Sequence, residues 1–322
     1  MNKQLANYLF KFSHLKQGVT PYGPAPHKPI LLISLLQAFR SHLYTENRIT
    51  VTPELVSLFT SNWNSLVKTN HVSTFALPFF HLRGEKFWHL SAKPGFEISL
   101  VNMKSISSLG QINTMIESVS LDYDLYMLFQ DSYSNTILSE ILLEKYFPET
   151  KIYLTTLKQI GYELFDDLKR KILNEDPAHY RAEIDRLIAE NNEDEIFLRS
   201  NAFKRAIPRL YNNTCSISGL RITSTIDISM IDACHIIRWS DSHDDTRING
   251  IALCPNLHRA FDRGLISIDD NYKLLISKVF QENASYYNIK QFEHKTILLP
   301  ENEEDFPGLS NLAWHRKHIF KY

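Results

Sequence analysis

One stretch of the chain, residues 232–264, limits what this sequence can fold into more than any other. It reads DACHIIRWSDSHDDTRINGIALCPNLHRAFDRG and places histidines, aspartates and asparagines around two short apolar runs. The apolar runs, 230–237 and 249–254, predict two buried strands joined by a polar loop. Pro255 and Gly264 then bound a short helix, since proline favours the first helical turn and glycine follows the last. The stretch therefore predicts strand, loop, strand and helix, in that order.

Two side chains of the predicted helix can share one cation. His258 and Asp262 lie four residues apart, so both face the same way. A histidine and a carboxylate at this spacing can bind one metal ion, as in helical zinc motifs. Taken singly, Asp262 is also compatible with a cap or a salt bridge, and Asn249 before Gly250 with an ordinary turn. Their occurrence together favours a functional site.

The composition fits a globular protein with one or two domains. The chain has 322 residues, of which 43% are hydrophobic and 12% aromatic, and this is enough for substantial cores. No apolar run approaches the roughly 20 residues of a membrane helix, and residues 1–17 predict an amphipathic helix without a signal-peptide pattern. Three cysteines give no disulfide framework, so we expect a cytoplasmic protein without a membrane partner. The net charge of −1 neither favours nor excludes nucleic acid.

Changes in composition divide the sequence into three parts. Residues 1–150 predict a mixed domain of helices and a β-hairpin, the hairpin lying in FALPFFHLRGEKFWHL with its turn at Arg83–Gly84. Residues 151–195 carry many charges of both signs and few aromatic residues, which predicts a solvated helical connector broken near Pro177. Residues 196–322 contain the stretch rich in histidine and aspartate. The expected fold class is therefore α+β.

Apolar periodicity locates further elements in the first part. It predicts helices in HKPILLISLLQAF, in the segment opened by Thr52 and Pro53, in LDYDLYMLFQDS and in NTILSEILLEKYF. Ile-Thr-Val at 49–51 predicts a short strand.

A basic segment precedes the histidine-rich stretch. FLRSNAFKRAIPRLY, residues 197–211, carries Arg199, Lys204, Arg205 and Arg209. Such spacing is typical of a solvated helix face. Its position also allows a second interpretation, in which Lys204, Arg205 and Arg209 contact the phosphates of DNA.

The spacing of His235, Asn249 and His258 resembles that of the HNH endonucleases, the ββα-metal nucleases. The three residues lie fourteen and then nine positions apart in CHII…NGIALCPNLHRAFD, and the resemblance covers about residues 210–280. It implies that His235 is a general base that activates water to attack a phosphodiester. It also implies that His258 binds a divalent cation with Asp262 as second ligand, while Asn249 braces the loop that aims His235. Mg²⁺ is the expected ion and Mn²⁺ the alternative, since hard oxygen ligands suit both.

The residue directly before the base departs from this family's pattern. Many members carry an aspartate or histidine there as a further metal ligand, where this chain has Cys234. The nearest carboxylate is Asp232, which we include as a candidate ligand. In an extended strand Asp232 points to the opposite face from His235 unless a bulge intervenes.

A second departure concerns a structural zinc ion. Many HNH domains hold zinc between two Cys-x-x-Cys pairs. Here the matching positions are Cys215 with Ser218, and Cys254 with Leu257. Two thiolates are too few for a four-coordinate zinc site, so we expect no structural zinc.

Two N-terminal segments, APHKPILLISLL and FALPFFHLRGEKFWHL, resemble parts of the sulfur-binding domains attached to HNH nucleases that restrict phosphorothioated DNA. The resemblance implies that His27, Lys28, Pro78 and Phe79 form an apolar cage beside a cation and bind the modified DNA. Leu77 replaces the family's tyrosine, and Lys28 stands where arginine is more familiar, although lysine cannot form a planar bidentate clamp on phosphate. The alternative interpretation is that both segments belong to the core.

The resemblances together imply a metal-dependent HNH endonuclease that hydrolyses phosphodiester bonds of double-stranded DNA, in a modification-dependent restriction system directed against foreign DNA. One alternative is a sequence-specific HNH restriction enzyme that acts on unmodified DNA. Another is a DNA-binding protein with a decayed nuclease site, which Cys234 beside His235 suggests. Because one nuclease site cuts one strand, we expect a homodimer, at least on DNA.

Overall fold

A computed structural model of the chain describes residues 3–155, 161–223 and 229–322. The chain divides into two compact units. The first comprises Met1–Asp167 and Glu190–Leu198, and the second comprises Leu168–Ala189 and Arg199–Tyr322. The segment predicted as a connector, 151–195, contributes residues to both units, and its residues 156–160 lie outside the described residues.

Helices make up most of the secondary structure and the strands form small antiparallel pairs, which confirms the α+β class. In chain order the helices are α1 (Lys3–Ser13), α2 (His27–Arg40), α3 (Pro53–Leu66), α4 (Ala76–His81), α5 (Glu97–Asn102), α6 (Leu109–Met115), α7 (Tyr123–Gln130), α8 (Ser132–Tyr146), α9 (Lys151–Thr155), α10 (Gly161–Leu173), α11 (Pro177–Ala189), α12 (Glu193–Leu210), α13 (Trp239–Ser242), α14 (Pro255–Asp262) and α15 (Leu309–His318). The strands are β1 (Val19–Thr20), β2 (Gly23–Pro24), β3 (Trp88–Ala92), β4 (Ile116–Leu121), β5 (Asp232–His235), β6 (Gly250–Leu253), β7 (Ile266–Ile268) and β8 (Leu274–Ile276).

The helices predicted in the first unit are confirmed. Helix α1 buries Leu5, Tyr8 and Phe12 on one face. Helix α3 begins at Pro53, and the hydroxyl of Thr52 caps it by accepting a hydrogen bond from the backbone N–H of Leu55 at 3.2 Å. Helices α2, α7 and α8 lie where apolar periodicity places them. The strand expected at 49–51 is reduced to an isolated bridge between Ile49 and Val119.

The prediction of a β-hairpin in FALPFFHLRGEKFWHL is wrong. Its first half is helix α4 followed by a 3-10 helix at Leu82–Glu85, and its strand β3 pairs with the distant β4. Pro78 would remove a ladder hydrogen bond from a strand but is tolerated in the first turn of a helix. Phe79 and Phe80 are adjacent and both fully buried, whereas consecutive strand residues face opposite sides of a sheet.

The second unit contains the predicted order of two strands and a helix. Strands β5 and β6 pair antiparallel, with Asp232 opposite Leu253 and His235 opposite Gly250. Pro255 opens helix α14, and Gly264 after its end has the left-handed φ of +69° that glycine adopts without strain. A side chain at Gly264 would lie 1.9 Å from the carbonyl oxygen of Ile319.

Apolar side chains from α12, β5, β6, α14, β7 and α15 form the core of the second unit. Gly250 allows the closest approach there, because a β-carbon at this position would lie 2.4 Å from the Ile207 side chain of α12. This contact fixes α12 against the strand pair that carries the predicted site. Among the described residues, no helix combines the length and apolar character needed to cross a membrane.

Candidate active site

His235 ends strand β5, and its ring is held on two sides. The imidazole stacks on the ring of Phe203 from α12, with centroids 4.0 Å apart and planes 10° apart. Its Nε2 lies 2.7 Å from Oδ1 of Asp245, a carboxylate that is only 1% exposed. The side chain of His235 nevertheless remains 22% exposed. The ring is therefore fixed in orientation and still open to solvent.

The contact with Asp245 determines which nitrogen of His235 can accept a proton. A neutral imidazole that donates from Nε2 to a carboxylate carries its lone pair on Nδ1. In the described parts of the chain, Nδ1 takes part in no hydrogen bond, since the one side-chain bond of His235 uses Nε2. Nδ1 is thus available to accept a proton from a water molecule.

Asn249 is fully buried and joins the two ends of the loop between β5 and β6. Its Nδ2 donates to the carbonyl oxygens of Ile237 and Asp244, both at 2.9 Å. Its Oδ1 accepts from the backbone N–H of Ile237 at 2.9 Å and from Nδ2 of Asn311 at 3.3 Å. These bonds satisfy the whole amide and hold the loop that places Asp245 beside His235.

Cys234, His258 and Asp262 form a group that could hold a metal ion. Their ligand atoms all lie within 4.8 Å of one another. Nε2 of His258 is 3.4 Å from Oδ2 of Asp262, and Sγ of Cys234 is 4.0 Å from Oδ1 of the same carboxylate. The fourth candidate, Asp232, meets the other nitrogen of His258, with Oδ2 3.1 Å from Nδ1. The four side chains thus converge where β5 meets α14.

The surroundings of the Cys234 thiol disfavour its ionised form. The thiol is fully buried, and its burial, followed by the charges of Asp262 and Asp232, raises its pKa well above the ordinary value. It is therefore protonated at neutral pH in the absence of a nearby cation. A bound cation would favour the thiolate, because metal ligation and deprotonation of cysteine are coupled.

The remaining two cysteines, Cys215 and Cys254, contact each other. Sγ of Cys215 accepts a hydrogen bond from the backbone N–H of Ser218 at 3.5 Å. The Cys254 thiol, followed by this contact with Ser218, lowers the pKa of Cys215, and the same thiol pair raises the pKa of Cys254. The one other cysteine of the sequence, Cys234, belongs to the group with His258 and Asp262.

Three basic candidates lie on α12, the helix that also carries Phe203. Lys204 and Arg209 are exposed and Arg205 is half-buried. Arg199 of the same segment differs from them, because it is 8% exposed and forms an ion pair with Glu175 at 3.0 Å. Contact of Lys204, Arg205 and Arg209 with DNA phosphates stays a prediction.

Two of the N-terminal candidates are core residues. Phe79 is fully buried, stacked on Phe75 with centroids 5.5 Å apart and edge-on to Trp88 at the same distance. Pro78 is buried in the same helix. Their burial agrees with the alternative interpretation, in which this segment belongs to the core, and the cage formed by Pro78 and Phe79 stays a prediction.

The two basic N-terminal candidates, His27 and Lys28, each bind a partner within the protein. The ammonium group of Lys28 lies 2.5 Å from Oε1 of Glu85, with the two side chains only 13% and 8% exposed. His27 donates from Nε2 to the carbonyl oxygen of Val72 at 2.9 Å, and burial lowers its pKa. Lys28 thus has an acidic partner within the protein, and its role in binding modified DNA stays a prediction.

The structure adds three residues that the sequence did not single out. Asp245 and Phe203 contact His235 directly, and the hydroxyl of Tyr180 donates to Oδ2 of Asp245 at 2.9 Å. The sequence partly indicates Asp245, since this residue lies in the polar loop between two predicted strands. Tyr180 carries none, because it belongs to the segment that reads as a solvated connector.

Comparison with known proteins gives a family for part of the chain. Residues 215–269 match the HNH endonuclease family. No curated protein is similar enough in sequence to be matched with the chain. Among solved structures, the modification-dependent TagI restriction endonuclease is 18% identical, with 36% of this chain and 37% of that chain covered and a TM-score of 0.27. The match thus spans little more than a third of the length of TagI.

A second solved structure is similar over a longer range. It is the Type IV phosphorothioation-dependent restriction endonuclease ScoMcrA, 10% identical, with 79% of this chain and 94% of that chain covered and a TM-score of 0.30. Both scores are too low to support an inference of function. The family match rests on sequence, and it encloses His235, Asn249, His258 and Asp262. Residues 215–269 are therefore an HNH endonuclease domain.

Proposed function

We propose that the chain is a metal-dependent DNA endonuclease of the restriction type. The observation that carries the proposal is that the HNH domain holds both a histidine, His235, whose Nε2 is bound to Asp245, and a group of potential cation ligands that includes the preceding residue, Cys234. In this proposal Nδ1 of His235 takes the proton from the water that attacks the phosphodiester. Asn249 holds the loop, and Lys204, Arg205 and Arg209 contact DNA phosphates.

The donor set fits a divalent ion. Sγ of Cys234, Nε2 of His258 and a carboxylate oxygen of Asp262 would hold it, and Asp232 would orient the imidazole of His258 through Nδ1. A bound ion would stabilise the negative charge that develops on the scissile phosphate and on the leaving oxygen. Its positive charge would also offset the two carboxylates that surround the Cys234 thiol.

We further propose that this ion is a softer transition metal, Co²⁺ or Zn²⁺. The sequence favours Mg²⁺ on the basis of oxygen ligands, but the group also offers a thiol and an imidazole. Thiolate and imidazole ligands suit Co²⁺ and Zn²⁺, whereas Mg²⁺ prefers carboxylate and water.

Substitution of Cys234 should change the metal preference. We expect Cys234→Ser to weaken Co²⁺ and Zn²⁺ binding at least about tenfold and to leave Mg²⁺ binding nearly unchanged, since the lost ligand is soft. Calorimetric titration of the metal-free protein measures both affinities, and Cys254→Ser is the matched control because Cys254 lies outside the ligand group. Wild-type protein that binds Mg²⁺ more tightly than Co²⁺ would contradict the proposed ligation.

Target selection is proposed to lie in residues 1–150. The likeness of its two segments to sulfur-binding domains supports a modification as the target. The test measures binding of the full chain to phosphorothioated, base-modified and plain duplexes of one sequence at one salt concentration. Equal affinity for all three would reject modification dependence and favour the sequence-specific alternative.

Cleavage of plasmid DNA tests the nuclease proposal itself. Metal-free protein is expected to leave a supercoiled plasmid intact and to break its strands after a divalent ion is added. Protein that binds the plasmid but never breaks it, with any divalent ion, would support the alternative of a decayed site.

Because one site cuts one strand, we also propose that two chains act in a double-strand break, which sedimentation of the DNA complex can test.

A further inference from the structure

Helix α11 brings a buried tyrosine to the active site of the second unit. Tyr180 is fully buried, and its hydroxyl donates to Oδ2 of Asp245 at 2.9 Å. The other oxygen of the same carboxylate, Oδ1, lies 2.7 Å from Nε2 of His235. Tyr180, Asp245 and His235 therefore form a continuous chain of hydrogen bonds. Its first member lies outside the HNH domain at 215–269.

The ring of Tyr180 is held in place from a second direction. The guanidinium of Arg199 lies over the ring, 5.1 Å from its centroid. Arg199 is fixed in turn by an ion pair of 3.0 Å with Glu175, a residue that lies just before the start of α11. The tyrosine hydroxyl is thus directed at Asp245 by packing and by charge.

The backbone on either side of Asp245 is fixed as well. Nδ2 of Asn249 binds the carbonyl oxygen of Asp244, and the carboxylate of Asp244 accepts from the backbone N–H of Thr246 at 2.8 Å. The side chain of Asp245 is almost completely buried, so each of its oxygens needs a donor. Tyr180 supplies one donor and His235 the other.

Burial, followed by the charge of Asp245, raises the pKa of Tyr180. The hydroxyl therefore keeps its proton and remains a donor throughout the physiological range of pH. Because Tyr180 can only donate to Oδ2 in this geometry, the carboxylate is held with Oδ1 toward His235. A carboxylate fixed in this way selects the imidazole tautomer that carries its proton on Nε2.

We propose that Tyr180 and Asp245 are positioning residues that hold His235 with Nε2 protonated and Nδ1 directed toward the attacking water. The inference rests on the proposed role of His235 as general base. It makes α11, a helix outside the matched HNH domain, a part of the nuclease site.

Two substitutions in the full chain test this inference. Asp245→Asn should lower kcat for plasmid cleavage about 10²–10⁴-fold, since an amide does not impose the required tautomer and the base loses its effect. Tyr180→Phe keeps the ring and removes the hydroxyl, so we expect kcat to fall about tenfold, as for loss of one hydrogen bond to a charged group. Both variants should retain wild-type KM and DNA affinity.

The same substitutions in a chain that already carries His235→Ala distinguish a positioning role from a merely structural one. In a His235→Ala chain, adding Tyr180→Phe or Asp245→Asn should cause no further loss of activity, because residues that act through one group are not additive. Tyr272→Phe is the matched control, since it removes a hydroxyl bonded to the carbonyl oxygen of Pro307 in the same unit, and it should keep wild-type kcat. Melting temperatures are compared for every variant.

The outcomes distinguish this inference from the proposed function. If His235→Ala is inactive but Tyr180→Phe and Asp245→Asn retain wild-type kcat, the positioning role is rejected and the general base stands. Equal losses from Tyr180→Phe with and without His235, accompanied by a lower melting temperature, would also reject it. If His235→Ala itself is fully active, the proposed function has failed.

Discussion

His235→Ala is expected to lower the single-turnover rate of DNA cleavage about 10²–10⁴-fold, the usual range for loss of a general base. The substitution removes Nδ1, the nitrogen that we propose takes the proton from water. It leaves the strand pair and the ligand group intact, because His235 is the last residue of β5 and its ring is partly exposed. DNA affinity should therefore stay close to that of the wild type. Cleavage of a supercoiled plasmid at saturating protein measures the rate.

A histidine in the same loop provides the control for this experiment. His243 lies between β5 and β6 and packs against Trp239, with ring centroids 4.7 Å apart and planes tilted by 45°. Its Nδ1 is 3.1 Å from Oδ1 of Asp185. His243→Ala removes an imidazole of similar exposure that has no contact with the ligand group. It should cleave at nearly the wild-type rate. Near-full activity of His235→Ala would contradict the assignment of the base.

His258→Ala is expected to lower the affinity for Co²⁺ or Zn²⁺ more than about 100-fold, since loss of an outer-shell partner alone costs 10–100-fold. The imidazole lies between Asp262 on one nitrogen and Asp232 on the other. Its removal leaves these carboxylates without the group that joins them. Cleavage at limiting metal should fall with occupancy, and calorimetry of the metal-free variant measures the affinity directly.

Substitution of a second exposed histidine controls for nonspecific metal binding. His318 belongs to α15, and its Nδ1 bonds the carbonyl oxygen of Trp314 at 2.9 Å. His318→Ala should bind metal as the wild type does. Unchanged affinity in His258→Ala would mean that the ion binds elsewhere, and the proposed ligand group would have to be abandoned.

Local signals in the sequence were sufficient for the ββα order. The short apolar runs around β5 and β6 predict buried strands. Pro255 and Gly264 mark both ends of α14 through restrictions on single backbone positions. The same kind of signal placed Thr52 and Pro53 at the start of α3. Each of these predictions depends on residues within one or two turns of the chain.

Predictions that depend on distant contacts failed or were not made. Lys28 pairs with Glu85, and β3 finds its partner in β4 instead of the preceding segment. Neither pairing leaves a periodic pattern in the sequence. Tyr180 reaches Asp245 only because α11 packs with the second unit, although its own segment is rich in charge. Such contacts arise from tertiary packing, and sequence patterns within a single element do not show which distant residues will meet.

Simultaneous measurement of metal occupancy and cleavage tests the central claim most directly. Metal-free protein is titrated with Co²⁺ in the presence of supercoiled plasmid. Two signals are recorded together: the thiolate-to-cobalt absorption that ligation by Cys234 would produce, and the number of strand breaks. The proposed site predicts that absorption and cleavage rise together and saturate at one ion per chain, and that both are lost in His258→Ala. Cleavage by protein without bound metal, or full occupancy of this site without cleavage by the wild-type chain, would contradict it.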